Sequence, residues 1–129
     1  MPQRSKSLAV ASIIAGIFGL LTIVSGGKAL LDPTGLGAVV PFVLWFNFAA
    51  GFGYVAAAVG LWQGARWAAI LSLIIAAATA AVFAALLWHI SQGGAFEWRT
   101  IGAMALRLAV WSVIAGAALR SGPGRPKPA

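Results

Sequence analysis

The sequence predicts an all-α integral membrane protein, a bundle of four transmembrane helices, on three observations. Charged residues make up 9% of the 129 positions and hydrophobic ones 61%, against about 25% charged in ordinary soluble domains. A soluble chain of this length has too few polar groups to cover its own surface. The charges are also widely spaced. Lys6 to Lys28 leaves 21 uncharged residues, Asp32 to Arg66 leaves 33, and Arg66 to Glu97 leaves 30. Arg99 to Arg120 leaves 20 positions, with Arg107 the sole charge among them. A spanning helix needs about 20 mainly apolar residues, so each gap holds one helix and none holds two. Finally, the cations are sorted by side. Arg4, Lys6, Arg66, Arg120, Arg125 and Lys127 fall on one side of four alternating spans. Lys28 and Arg99 fall on the other, beside the only acids, Asp32 and Glu97. Short cytoplasmic loops collect Lys and Arg, which predicts cytoplasmic termini and a multi-pass protein of a bacterial-type inner membrane. The same rule accounts for the net charge of +7 without a nucleic-acid partner.

The elements follow in order. Residues 1–7 are a short basic leader, and the first span is Leu8–Ala29. Its apolar stretch is too long for a signal peptide and no A-x-A site follows, so it is read as a retained helix. The loop Leu30–Ala38, LLDPTGLGA, carries Asp-Pro and Gly turn chemistry. The second span, Val39–Trp62, and the third, Trp67–Ile90, are joined by so short a turn that they must be antiparallel neighbours. Ser91–Glu97 contains Gly93-Gly94, and the fourth span is Trp98–Leu119. The transmembrane domain thus covers residues 1–120. Residues 121–129, SGPGRPKPA, form a disordered basic cytoplasmic tail, too rich in Pro and Gly to continue a helix.

Trp62, Trp67, Trp88 and Trp98 flank the turns, at the depth where amphipathic rings meet the headgroups. Small residues recur at four-residue spacing, at Ser12/Gly16, Ala15/Gly19, Ala49/Gly53, Ala56/Gly60 and Ala81/Ala85. In lipid such stripes mark faces of close helix approach, within one bundle or between subunits. Ile23–Gly27 (IVSGG) and Ile90–Gly94 (ISQGG) echo one another, as a parallel two-plus-two repeat would.

Arg107 is the candidate functional residue. A cation deep in a span is expensive, faces protein or water, and marks a site by default. Asn47, within the aromatic run Phe42–Phe48, lies in the same outer half of the membrane, and an upward-reaching guanidinium would bring the two into one layer. Arg107 and Asn47 with Trp45, Phe46 and Trp111 as walls would suit an amphiphile with a carbonyl or anionic head, such as a quinone or another lipid. Pairing of Arg107 with Asn47, Thr100 or backbone carbonyls to lock the bundle is the structural alternative, and an ion pair at a subunit interface is a third. His89, the lone histidine, is a possible axial ligand for a haem or chlorin, but a second ligand would have to come from another subunit. There is no cysteine, no metal-ligand set, no buried carboxylate and no nucleophile–base pair, so an enzyme is not expected.

The run Gly19–Pro33, with its Ser25-Gly26 step, Lys28 and Asp32-Pro33, resembles the end of the first helix in DoxX/MauE-like membrane proteins. Val59-Gly60-Leu61-Trp62 with Gly64 and Arg66-Trp67 is similar to that family's G-L-x-x-G-x-x-R pattern. The resemblance covers the first half of the chain. It implies a four-helix bundle with cytoplasmic termini and an accessory role in membrane redox systems. One departure matters: MauE-like members tend to carry an acid in the second helix, whereas Gly53–Val59 is uncharged. No proton or metal role is therefore carried over.

The expectation is a non-catalytic subunit or a quinone- or lipid-binding module of a membrane redox system, in contact with membrane lipids and with other membrane subunits or copies of itself. A small oligomeric transporter or channel is one alternative. Its polar stripe would have to come from Ser12, Asn47, Ser72, Thr79, Arg107 and Ser112. A structural assembly factor is the other.

Overall fold

Four helices account for nearly all of the structure, a computed structural model that describes residues 6–32 and 40–121 apart from the side chains of Ser7 and Ser121. They are α1 (Lys6–Leu31), α2 (Pro41–Trp62), α3 (Arg66–Ser91) and α4 (Trp98–Ser121). No strand occurs among the described residues. All four helices are long and apolar enough to cross a membrane. Three of them extend up to two residues beyond the expected span at one end or both, whereas α2 begins two residues late. Pro41 explains that offset. It stands in the first turn of α2, and Val40 before it is extended at φ −100°, ψ 104°, because proline disfavours the helical region for the residue it follows. The turn expected at Asp32-Pro33 and the basic tail fall largely at residues 33–39 and 122–129, outside the described residues.

The helices form an antiparallel ring in which α1 packs most closely on α2, α3 lies between α2 and α4, and α4 touches α1 least. Two glycines close the turns. Gly64 (φ 68°) and Gly93 (φ 83°) adopt the left-handed conformation. The Ala65 N–H then donates to Gly60 O and the Gly64 N–H to Leu61 O, and at the other turn Gly94 N–H donates to His89 O and Gly93 N–H to Ile90 O. This paired capping satisfies the carbonyls a helix end leaves free.

The expected small-residue faces divide into two sets. Gly19 and Gly51 meet across the α1–α2 seam: a methyl on Gly19 would fall 2.8 Å from Val55 and 3.0 Å from the Gly51 carbonyl, and one on Gly51 would fall 2.9 Å from Ile23. Ser12 ties the same seam by donating to Ala58 O at 2.9 Å. Gly60 receives the Trp67 ring and Ala68, which would stand 2.6 and 2.7 Å from a methyl added there. By contrast, Ala49, Ala56, Ala81 and Ala85 are exposed on the outside of the bundle. The IVSGG/ISQGG echo is not structural, since Gly26 lies inside α1 against Phe48 while Gly93 ends α3.

The core is built in two layers. One gathers Leu8, Ala15, Tyr54, Leu61, Trp111 and Ile114 among others, and the second is Val40, Val43, Leu86 and Met104. Outward-facing residues include many large apolar ones, among them Leu20, Leu21, Val24, Ile74 and Val113. That is the inverse of a water-soluble bundle and suits hydrocarbon as solvent.

Candidate functional site around Arg107

Depth is set by helix rise. At roughly 1.5 Å per residue, Thr22 on α1 and Arg107 on α4 both stand about 13 Å in from the end that carries Asp32 and Glu97. Phe18, Tyr54 and Trp111 all stand about 20 Å in by the same rise. The three rings form one aromatic layer. Phe18 meets Tyr54 edge-on at 5.7 Å between centroids, and Tyr54 leans on Trp111 at 4.7 Å and 33°.

Arg107 rests on that layer. Its Nη1 donates to Thr22 Oγ1 at 2.9 Å and to Tyr54 Oη at 3.4 Å. The guanidinium carbon stands 5.1 Å from the Phe18 centroid and 5.9 Å from that of Tyr54, within cation–π range. The cation is thus half-buried and shared between two hydroxyl oxygens and two ring faces. The chain has only two acids, Asp32 and Glu97, and neither belongs to a helix. Among the described residues no acidic side chain lies within a helix at that depth.

Donors outnumber acceptors here. Arg107 Nε and Trp111 Nε1 are buried and find no acceptor among the described residues. The two residues are four apart on α4 and therefore share a face. Buried polar groups are normally satisfied, and each exception calls for a reason. At about 1–3 kcal/mol for each unmade bond, the pair is a costly arrangement to keep without an acceptor.

The residues expected to form the site are distributed unevenly. Arg107 and Trp111 come together, bridged by Tyr54. Asn47 does not join them: its Oδ1 is buried and accepts no hydrogen bond, while the guanidinium is directed to Thr22 and Tyr54. Phe46 packs against the Val40–Met104 layer. Trp45 is 61% exposed on the outside of the bundle and walls no interior space. Sequence reasoning missed Thr22 and Tyr54. A signal existed, because Thr22 falls at the same depth as Arg107 and Tyr54 is the only tyrosine.

His89 lies at the opposite wall, near the end of α3. Its Nε2 stands 3.0 Å from the Ala95 carbonyl, which requires the proton on that nitrogen. Phe42 approaches the ring edge-on at 6.1 Å, and Gly94 lies so close that a methyl there would strike the imidazole. Ligation through Nε2 would break the bond to Ala95. No group of three or more His, Asp or Glu residues is placed to hold a metal among the described residues.

The fold and this site define a class: a four-helix membrane protein with one arginine bonded inside the bundle. Neither a family model, nor a curated protein, nor a solved structure matches the chain.

Proposed function

We propose that this protein is a non-catalytic membrane subunit that binds an amphiphile through an oxygen-bearing head at the Arg107–Trp111 face. The observation that carries the reading is the pair of unmatched donors, Arg107 Nε and Trp111 Nε1, one turn apart on α4. Both are N–H groups, so the complementary head is an acceptor. A quinone carbonyl or a lipid carboxylate or ester fits, and a cation does not. The Phe18, Tyr54 and Trp111 rings supply an apolar bed beside the polar head.

The DoxX/MauE-like run at Gly19–Pro33 supports an association with a membrane redox system, in which a quinone is the natural amphiphile. The excess of cations at the Lys6, Arg66 and Arg120 end supports cytoplasmic termini in a bacterial-type inner membrane. A transporter reading draws little support from the interior hydroxyls. Ser72 and Thr79 donate to carbonyls of their own helix, Ala68 and Ile75, and Ser12 donates across to Ala58. These groups are used in packing and do not line a polar path.

The test is retention. Full-length protein purified in mild detergent is extracted with organic solvent and assayed for quinone, in parallel with Arg107→Leu and Trp111→Phe. The expected result is bound quinone in the wild type, none in Arg107→Leu, and about tenfold weaker retention in Trp111→Phe, the equivalent of ~1.4 kcal/mol. Equal quinone content in all three proteins, with each still folded by circular dichroism, overturns the proposal.

A further inference from the structure

A groove lies nearer the basic end of the molecule, between α1 and α4. It encloses about 390 Å³, and Lys6, Val10 and Ile14 line it from α1 while Val113 and Ala117 line it from α4. It exists because α1 and α4 are the ring neighbours that touch least and because α4 carries small residues there. The small lining side chain on that helix is Ala117.

The lining is ordered along the membrane normal. Lys6, Val10 and Ile14 recur at four-residue spacing and share one face of α1, running roughly 12 Å from the charge to the apolar end. On α4, Val113 and Ala117 are followed by Arg120, one turn on and on the same side of the helix. The groove is therefore hydrocarbon-like inside and cationic at its mouth. Both acidic side chains of the chain, Asp32 and Glu97, belong to the other end, so among the described residues no acidic side chain stands at the mouth beside Lys6 and Arg120.

We infer that this groove seats one acyl chain of an anionic phospholipid, whose phosphate is held at the mouth by Lys6 and Arg120. A phospholipid presents the same sequence of chemistry, an apolar tail followed by a phosphate at the membrane boundary. Basic pockets between transmembrane helices are suited to such headgroups. Arg107 lies deeper along α4, roughly 9 Å beyond Val113 and 15 Å beyond Ala117 by helix rise, and the mouth does not depend on what Arg107 binds.

Native mass spectrometry of the full-length protein, with dioleoyl phosphatidylglycerol or dioleoyl phosphatidylcholine added to the detergent, tests the inference. The wild type is expected to retain phosphatidylglycerol at least tenfold better than phosphatidylcholine. Ala117→Trp fills the groove while leaving every cation in place, and is expected to lose the retained lipid. Val10→Trp, at a position 56% exposed, does the same from the α1 side and guards against misfolding of the first variant. Lys6→Gln combined with Arg120→Gln should abolish the preference for phosphatidylglycerol, and Arg107→Leu should leave it intact. Equal retention of the two lipids by the wild type overturns the inference. So does unchanged phosphatidylglycerol retention in both tryptophan variants, or the loss of a dimer in place of a lipid.

Discussion

Gly19 and Gly51 face each other where α1 and α2 approach most closely, and the atoms a side chain would strike include backbone as well as neighbouring side chains. Relief would require moving a helix. Gly19→Leu is therefore expected to cost about 1–3 kcal/mol, the usual range for overpacking, seen as a lower thermal midpoint in detergent. Gly16→Ala on the same face is expected to be nearly neutral, because its methyl would sit 3.6 Å from Ala58, an ordinary contact. Gly19 also packs beside Tyr54, so forcing the seam open displaces an acceptor of Arg107. Arg107 itself illustrates how a bundle accommodates a charge. An arginine at the centre of a span costs about 2.5–3.5 kcal/mol on insertion scales, and hydrogen bonds to a charged group return about 1.5–3 kcal/mol each. The short bond to Thr22 and the longer one to Tyr54 are of the right size to offset it.

At the level of elements, two glycines with similar freedom around them separate backbone strain from packing. Gly93 closes α3 at φ 83° with nothing near its would-be methyl, and Gly102 sits inside α4, also with open space. Gly93→Ala should destabilise by about 1–2 kcal/mol, the cost of a left-handed L-residue. Gly102→Ala should stabilise by about 0.5–1 kcal/mol through helix propensity. A common sign for the two changes in thermal unfolding would contradict this account. The same elements show what was legible beforehand. Helix number and ends could be read to within about two residues because charge spacing and glycine position act along the chain, in one dimension. Depth was also legible, and Arg107 does lie well inside the fourth helix. Rotation was not. Whether Asn47 or Tyr54 turns toward the arginine depends on how each helix is rolled about its axis. For α2 that roll is set by the contact of its Gly51 with Gly19 of α1. Trp45 went astray for the same reason: its depth suits a pocket, while its azimuth directs it outward.

For the whole molecule, the charge asymmetry makes a prediction about sidedness. The protein has no cysteine, so single cysteines at Gln63, in the turn before α3, and at Ser91, at its far end, both exposed, report orientation without background. In intact cells a membrane-impermeant maleimide should label Ser91→Cys, and it should label Gln63→Cys only after permeabilisation. The reverse pattern would invert the molecule and move the Lys6 groove to the other leaflet.

The bond from Arg107 to Thr22 and Tyr54 has a consequence for biogenesis. Ribosomes deliver this chain from its amino end, so both acceptors are already installed when the arginine-bearing segment leaves the translocon. The last helix is thus received by a docking surface that its predecessors have prepared, and its entry into lipid becomes contingent on their earlier pairing. A lesion in the opening hairpin, such as one at Gly19, would be felt during synthesis as a closing segment left stranded and open to quality-control proteases.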